Sequence, residues 1–199
     1  MLEVRRSSDR TRSTTPSPLT DFERLGDAVH LIRLGARAGL VTQLTGIGKA
    51  TANRLHRELR ARPSPPGQYP LTDAWYLRGH RRLLHANLVW RLYRRFECQG
   101  RTHTQCLIKT YESYLTLVSE PLIDFTRAAF VPKLVAQGGW GEYVCAVCAT
   151  AALAPTHNLA TLCPGCRRYQ QLRCLRCGAA RTGNRVAKWP HRCPACPSS

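Results

Sequence analysis

The stretch from Cys145 to Cys166 opens with Cys145-Ala-Val-Cys148, runs through fourteen residues, and closes with Cys163-Pro-Gly-Cys166. Two CxxC pairs separated by about 15 residues have the spacing of a zinc site. Two thiolates on one tight turn can each reach a Zn²⁺ at about 2.3 Å, and a second such turn completes the tetrahedron. The pattern then recurs: Cys174 and Cys177 are followed, fifteen residues later, by Cys193 and Cys196. The Pro-Gly inside the second pair and Gly178 behind the third suit such turns. The expectation is two tandem four-cysteine sites, each holding one Zn²⁺. Structural zinc sites have every position filled, so the metal should support folding, not chemistry. A segment this short has little core of its own.

Other readings of these cysteines exist. Only seven residues separate Cys166 from Cys174, so the two middle pairs can share a metal. His157 or His191 can replace a thiolate. A disulfide framework needs a secreted chain, and the first thirty residues contain no apolar signal core. A thioredoxin-like pair needs a βαβ context, which no CxxC here has. Reduced cysteines with metal spacing point to the cytoplasm.

Outward from the cysteines the chain is basic. Its 199 residues carry 30 Lys and Arg against 12 Asp and Glu, a net charge of +18. Such a balance points to polyanions, chiefly nucleic acid; an acidic protein partner or anionic lipid is the bland alternative. The tail from Glu142 onward holds eight basic residues and one acid, so it carries charge as well as metal. No run of about eighteen apolar residues exists, so no membrane span is expected. There is no P-loop, GxGxxG, HExxH or GxSxG motif, and the chain does not read as an enzyme.

Residues 1–20 mix Ser, Thr, Pro and Arg and read as a disordered basic arm. Residues 21–141 read as a helical domain whose basic helices suit DNA, and 142–199 as a tandem zinc-binding module. Within the helical part, Phe22, Leu25, Val29, Ile32 and Ala36 recur at helical spacing. A short apolar helix from Ala38 should end near Thr45, with Gly46 supplying the positive φ of a sharp turn. The next helix points Ala52, Leu55 and Leu59 inward and Lys49, Asn53, Arg54 and Arg57 outward. This is the build of a helix-turn-helix, and Arg and Asn are side chains that read base edges. Four prolines between Arg62 and Pro70 form a stiff connector. Asp73 is then expected to cap one long helix through Trp75, with Leu84, Leu88, Leu92 and Phe96 as its core stripe. Arg78, Arg81 and Arg82 on that helix suit phosphate contacts. Helices follow over His103–Val118 and from Pro121 to Gln137, the second kinked or divided at Pro132. The fold class is mostly α: an N-terminal helical domain with a helix-turn-helix-like hairpin, plus a C-terminal zinc-ribbon-like module with two four-cysteine sites.

Several features occur in a telling order. They are Leu31-Ile-Arg-Leu-Gly-Ala-Arg37, Leu55-His-Arg-Glu-Leu-Arg60, the proline break, Asp73-Ala-Trp75, Thr110-Tyr-Glu-Ser-Tyr114, Pro121-Leu with Thr126-Arg-Ala128, and the first two CxxC pairs. Over roughly residues 22–166 this set resembles FlhC, the zinc-binding subunit of the bacterial flagellar master transcription activator. The resemblance implies a FlhD-like partner in a ring-like hetero-oligomer, binding and bending of double-stranded promoter DNA ahead of flagellar operons, and recruitment of RNA polymerase. It also maps the family's zinc site onto Cys145, Cys148, Cys163 and Cys166. Cys174, Cys177, Cys193 and Cys196 depart from the family pattern, as does Pro132. Two other classes compete: a sequence-independent nucleic-acid binder, RNA included, and a zinc-stabilised adaptor for an acidic protein.

Overall fold

The computed structural model describes residues 17–66, 69–158, 160–174, 176–180 and 196. The expected arm falls almost wholly outside them, as do His191 and Cys193. Helix α1 spans Pro18–Arg33, with Pro18 in the first turn, where its missing N–H is no loss. It therefore starts three residues earlier than the periodicity suggests. Its buried side is Ala28, Leu31 and Ile32, whereas Phe22 is 77% and Leu25 40% exposed. Helix α1 stops in a Schellman turn. The N–H of Gly35 donates to Ile32 and that of Ala36 to Leu31, with Gly35 at φ 92°. The last carbonyls of α1, on Ile32 and Arg33, take hydrogen bonds from Arg60 at 3.1 and 2.9 Å. Arg60 thus gives Ile32 O a second donor and supplies Arg33 O, placing a cation at the helix C-terminus.

Helix α2 is Ala38–Thr45 and α3 is Lys49–Arg60. Gly46, at φ 75°, makes the turn between them, and α1 packs on both. The turn thus has the three-residue length of a helix-turn-helix. Ala52 and His56 are the buried residues of α3, with Leu55 and Leu59 half-buried at its margin.

Beyond the proline connector the expected long helix is two. Helix α4 is Ala74–Leu77 and α5 is His80–Glu97, separated by extended backbone at Gly79. The Asp73 carboxylate does not cap α4. It accepts instead from Trp140 Nε1 at 2.8 Å. The expected stripe on α5 is also displaced. Ala86, Val89, Trp90 and Tyr93 are buried with His85 and Asn87, while Leu84 is 41% exposed. Helix α6, His103–Leu117, opens with a complete capping box between Thr102 and Gln105. Helix α7 is Phe125–Ala136. It begins at Asp124, whose carboxylate accepts from Arg127 N at 2.8 Å, not at Pro121. Pro132 lies inside it without dividing it, since a proline ring costs the i−4 carbonyl its donor but leaves the flanking turns bonded.

A second Schellman turn, at Gly138 and Gly139, closes α7. Strand β1 (Trp140–Val144) and strand β2 (Ala151–Pro155) then form an antiparallel pair. Trp140 and Leu153 join the helical core. Helix α8, Pro164–Leu172, packs on α5. Among the described residues no helix is long and apolar enough to cross a membrane.

Candidate metal centre and nucleic-acid interface

The β1–β2 pair ends at Val144↔Ala151, and the turn beyond it carries Cys145 and Cys148. In that turn Cys145 N donates to Thr150 O at 3.0 Å and Ala149 N to Cys145 O at 2.9 Å. Ala149 takes φ 53° to close it. The other two thiols sit at the start of α8. Cys163 is its N-cap, and its sulfur accepts from Cys166 N at 3.3 Å. Two backbone N–H groups join the halves: Ala146 N donates to Thr161 O at 2.9 Å, and Cys163 N to the Cys145 sulfur at 3.2 Å.

All four sulfurs lie within 4.8 Å of one another. Cys148 and Cys163 are 3.7 Å apart at sulfur. A tetrahedron built on a metal–sulfur distance of about 2.3 Å has edges of about 3.8 Å, whereas a disulfide would need about 2.05 Å. The donor set and spacing fit a soft divalent ion such as zinc. Backbone N–H groups of Cys163 and Cys148 hold the Cys145 thiol down to about 6. The Thr150 hydroxyl lowers Cys148. Cys166 is pushed up to about 12, first by its hydrogen bond with Cys148. Four neighbouring thiolates repel, and a bound dication is what lets the last proton leave.

The second cluster brings Cys174, Cys177 and Cys196 together within the same limit. Its turn repeats the first one bond for bond. Cys174 N donates to Ala179 O and Gly178 N to Cys174 O, both at 2.9 Å. Gly178 takes φ 72°, and Arg173 bridges Ala180 as Val144 pairs with Ala151. The sulfurs of Cys174 and Cys196 are 3.6 Å apart. Cys174 is held down to about 6, first by the N–H of Cys177. The clusters thus follow chain order, and the two middle pairs do not share a cluster. His157 is exposed and belongs to neither.

The cysteine-bearing hairpin is seated by a residue that periodicity does not single out. Asn87, buried on α5, accepts from Leu153 N at 2.7 Å and donates to Leu153 O at 3.1 Å. It gives β2 the hydrogen bonds of a missing neighbour strand. Tyr143 adds a bond to Leu162 O at 2.9 Å, across the gap between the two cysteine pairs.

The expected DNA-contacting residues divide by surroundings. Lys49, Arg54, Arg57 and Arg78 are exposed and Asn53 is half-buried. Among the described residues, Arg54 has a long contact to Glu58, 3.8 Å. Arg81 pairs with Glu120 at 3.0 Å. Arg82 lies 4.5 Å from the centre of the Trp75 ring and donates to Trp75 O at 3.3 Å, so it is partly committed to the fold.

A family model described as Flagellar transcriptional activator (FlhC) matches residues 14–177. This chain belongs to the FlhC family. Curated FlhC regulators align over most of their length. That of Cupriavidus metallidurans is 30% identical over 154 residues, covering 75% of this chain and 72% of the relative. That of Enterobacter cloacae is 28% identical over 148 residues, 70% and 76%. That of Proteus mirabilis is 26% identical over 140 residues, 67% and 72%. All three are named flagellar transcriptional regulators, so the family is one of regulators and not of enzymes. Within the FlhC match lies the first cysteine cluster; Cys196 of the second lies beyond it.

Proposed function

We infer that this FlhC-family chain is a DNA-binding activator subunit. It acts in the cytoplasm on promoters of flagellar operons, in a hetero-oligomer with a FlhD-like protein, and helps recruit RNA polymerase. The observation that carries the reading is the α1–α3 unit of an FlhC-family chain of net charge +18. In it a glycine turn joins α2 to α3, and α3 presents Lys49, Asn53, Arg54 and Arg57 on its less buried side. A recognition helix of this build enters the major groove with its first residues on base edges. Arginines elsewhere on the surface add phosphate contacts, which offset the cost of bending a duplex.

Both cysteine clusters hold Zn²⁺ in this reading. Their role is structural, since all-sulfur sites leave no position open for a substrate. The bound ions supply no reaction step. They fix the turns that carry Cys145 and Cys174, and with them α8.

The test is a gel-shift series with the chain copurified with its FlhD-like subunit. Labelled flagellar promoter DNA should stay bound against a large excess of unrelated duplex. Equal displacement by unrelated DNA would replace this reading with a sequence-independent binder. No binding at low salt would leave an adaptor for an acidic protein.

A further inference from the structure

Two clefts meet beside the hairpin, one of about 290 Å³ and one of about 460 Å³. Arg37 and Thr126 line both, so the clefts adjoin at those two residues and together make a two-part trough. One end is lined by Lys49 and Asn53 of α3, and the other by Arg78, Trp75 and Arg127. The ionised residues along it are four cations, Arg37, Lys49, Arg78 and Arg127, and one carboxylate, Asp124.

That carboxylate is already engaged. It caps α7 and pairs with Arg127 at 2.8 Å. The Arg127 guanidinium also lies 4.4 Å from the centre of the Trp75 ring, so it is held in place before any ligand arrives. Arg37, Lys49 and Arg78 have no carboxylate partner among the described residues. Arg37 lines both clefts; its Nη1 donates to Pro66 O at 3.3 Å, which tethers that side chain and leaves its other N–H groups to donate. Cations that line one concave surface without carboxylate partners repel one another, and the concavity concentrates their field.

The geometry points to a phosphodiester-binding trough, in which Arg37 and Arg78 each contact one backbone phosphate of duplex DNA while Arg127 supplies a fixed third charge. This rests on the DNA-binding reading above and names a subsite within it. Its position agrees with the docking of such hairpins. The second helix puts its first residues on bases while the helix before it crosses the backbone. Here Lys49 and Asn53 open α3, and Arg37 is the residue immediately before α2. Neither Arg37 nor Arg127 stands out from charge spacing alone. The trough is what assembles them.

The experiment is salt-dependent binding of a short mixed-sequence duplex by the complete complex. Removing one phosphate-binding cation should lower the slope of log K against log salt by about one. Arg37→Gln with Arg78→Gln should lower it by about two, and Arg37→Lys with Arg78→Lys should restore it, because a point charge suffices for counterion release. Arg101→Gln, an exposed charge removed elsewhere, should leave it unchanged. An unchanged slope in the double glutamine variant, with wild-type binding intact, overturns the trough and leaves DNA binding standing. An equal drop in the Arg101 control overturns it too. Absence of duplex binding by the wild-type complex removes both readings. Matched melting temperatures separate weakened phosphate binding from impaired folding.

Discussion

At the scale of single residues, Tyr114 shows how one hydroxyl can organise a neighbourhood. Its oxygen accepts from the N–H of Leu122 at 3.0 Å and of Ile123 at 3.2 Å. Its own hydrogen is therefore free to go to His85 Nδ1, 2.6 Å away, which fixes the neutral tautomer with the proton on Nε2. Tyr114→Phe keeps the ring and orphans three partners, so it should cost about 1–3 kcal/mol, read as a shift in the urea midpoint at neutral pH. A pH effect follows from the same contact. Burial lowers His85 below its ordinary 6.5, with Arg81 adding to the effect. Burial also lowers His80 and His103. A lowered histidine favours the neutral folded form. Its contribution is complete above 6.5 and is lost as pH falls through 6.5 towards the folded value. Stability should therefore decline over the interval below about pH 6.5, and His85→Gln should make that decline shallower. A melting curve independent of pH over this interval would contradict the assignment.

At the scale of elements, legibility in the sequence depends on whether a local rule decides the outcome. The α2–α3 turn is readable because Gly46 needs its positive φ, and the end of α7 because Gly138 does. The inner face of α5 is not readable. Counting apolar spacing selects Leu84, Leu88, Leu92 and Phe96, yet the buried side includes His85 and Asn87. Both are polar, and both are buried because partners on α6 and β2 satisfy them, which no single-helix pattern can reveal. Asp73 misleads for the same reason: its partner, Trp140, is 67 residues away. The cysteine turns are the most legible elements, and comparing them yields a prediction. Ala149 and Gly178 occupy the same position with φ near 53° and 72°. A left-handed alanine costs about 1–2 kcal/mol, partly offset by the lower entropy cost of fixing it. Ala149→Gly should therefore stabilise the first turn by roughly 0.5–1 kcal/mol, measurable as slower metal loss to a chelator. Faster loss would mean that the methyl group packs usefully.

For the molecule as a whole, the line between helical body and metal module is less sharp than composition suggests. β1 begins at Trp140, which is 2% exposed, and Leu153 of β2 is fully buried in the common core. Charge and cysteine spacing mark the module but say nothing of the seam, because the seam is made by ordinary apolar residues and one asparagine. Zinc removal should therefore have a graded effect. With a strong chelator, 174–180 and α8 should lose protection from protease first, while most of the far-ultraviolet helical signal remains. Cys163→Ser should lower bound zinc by one equivalent per chain. Retention of two equivalents would refute the assignment of Cys163 to a metal site, and loss of both would show that the clusters are not independent.

The Asn87 clamp has a consequence for biogenesis. A ribosome delivers this chain from its amino end at about 5–20 residues per second, so α5 is outside before Leu153 is translated. The docking site for β2 then exists as a template when the strand emerges. A molecule stripped of metal should keep that template, so that re-entry of metal is expected to begin from a pre-positioned hairpin instead of a random coil.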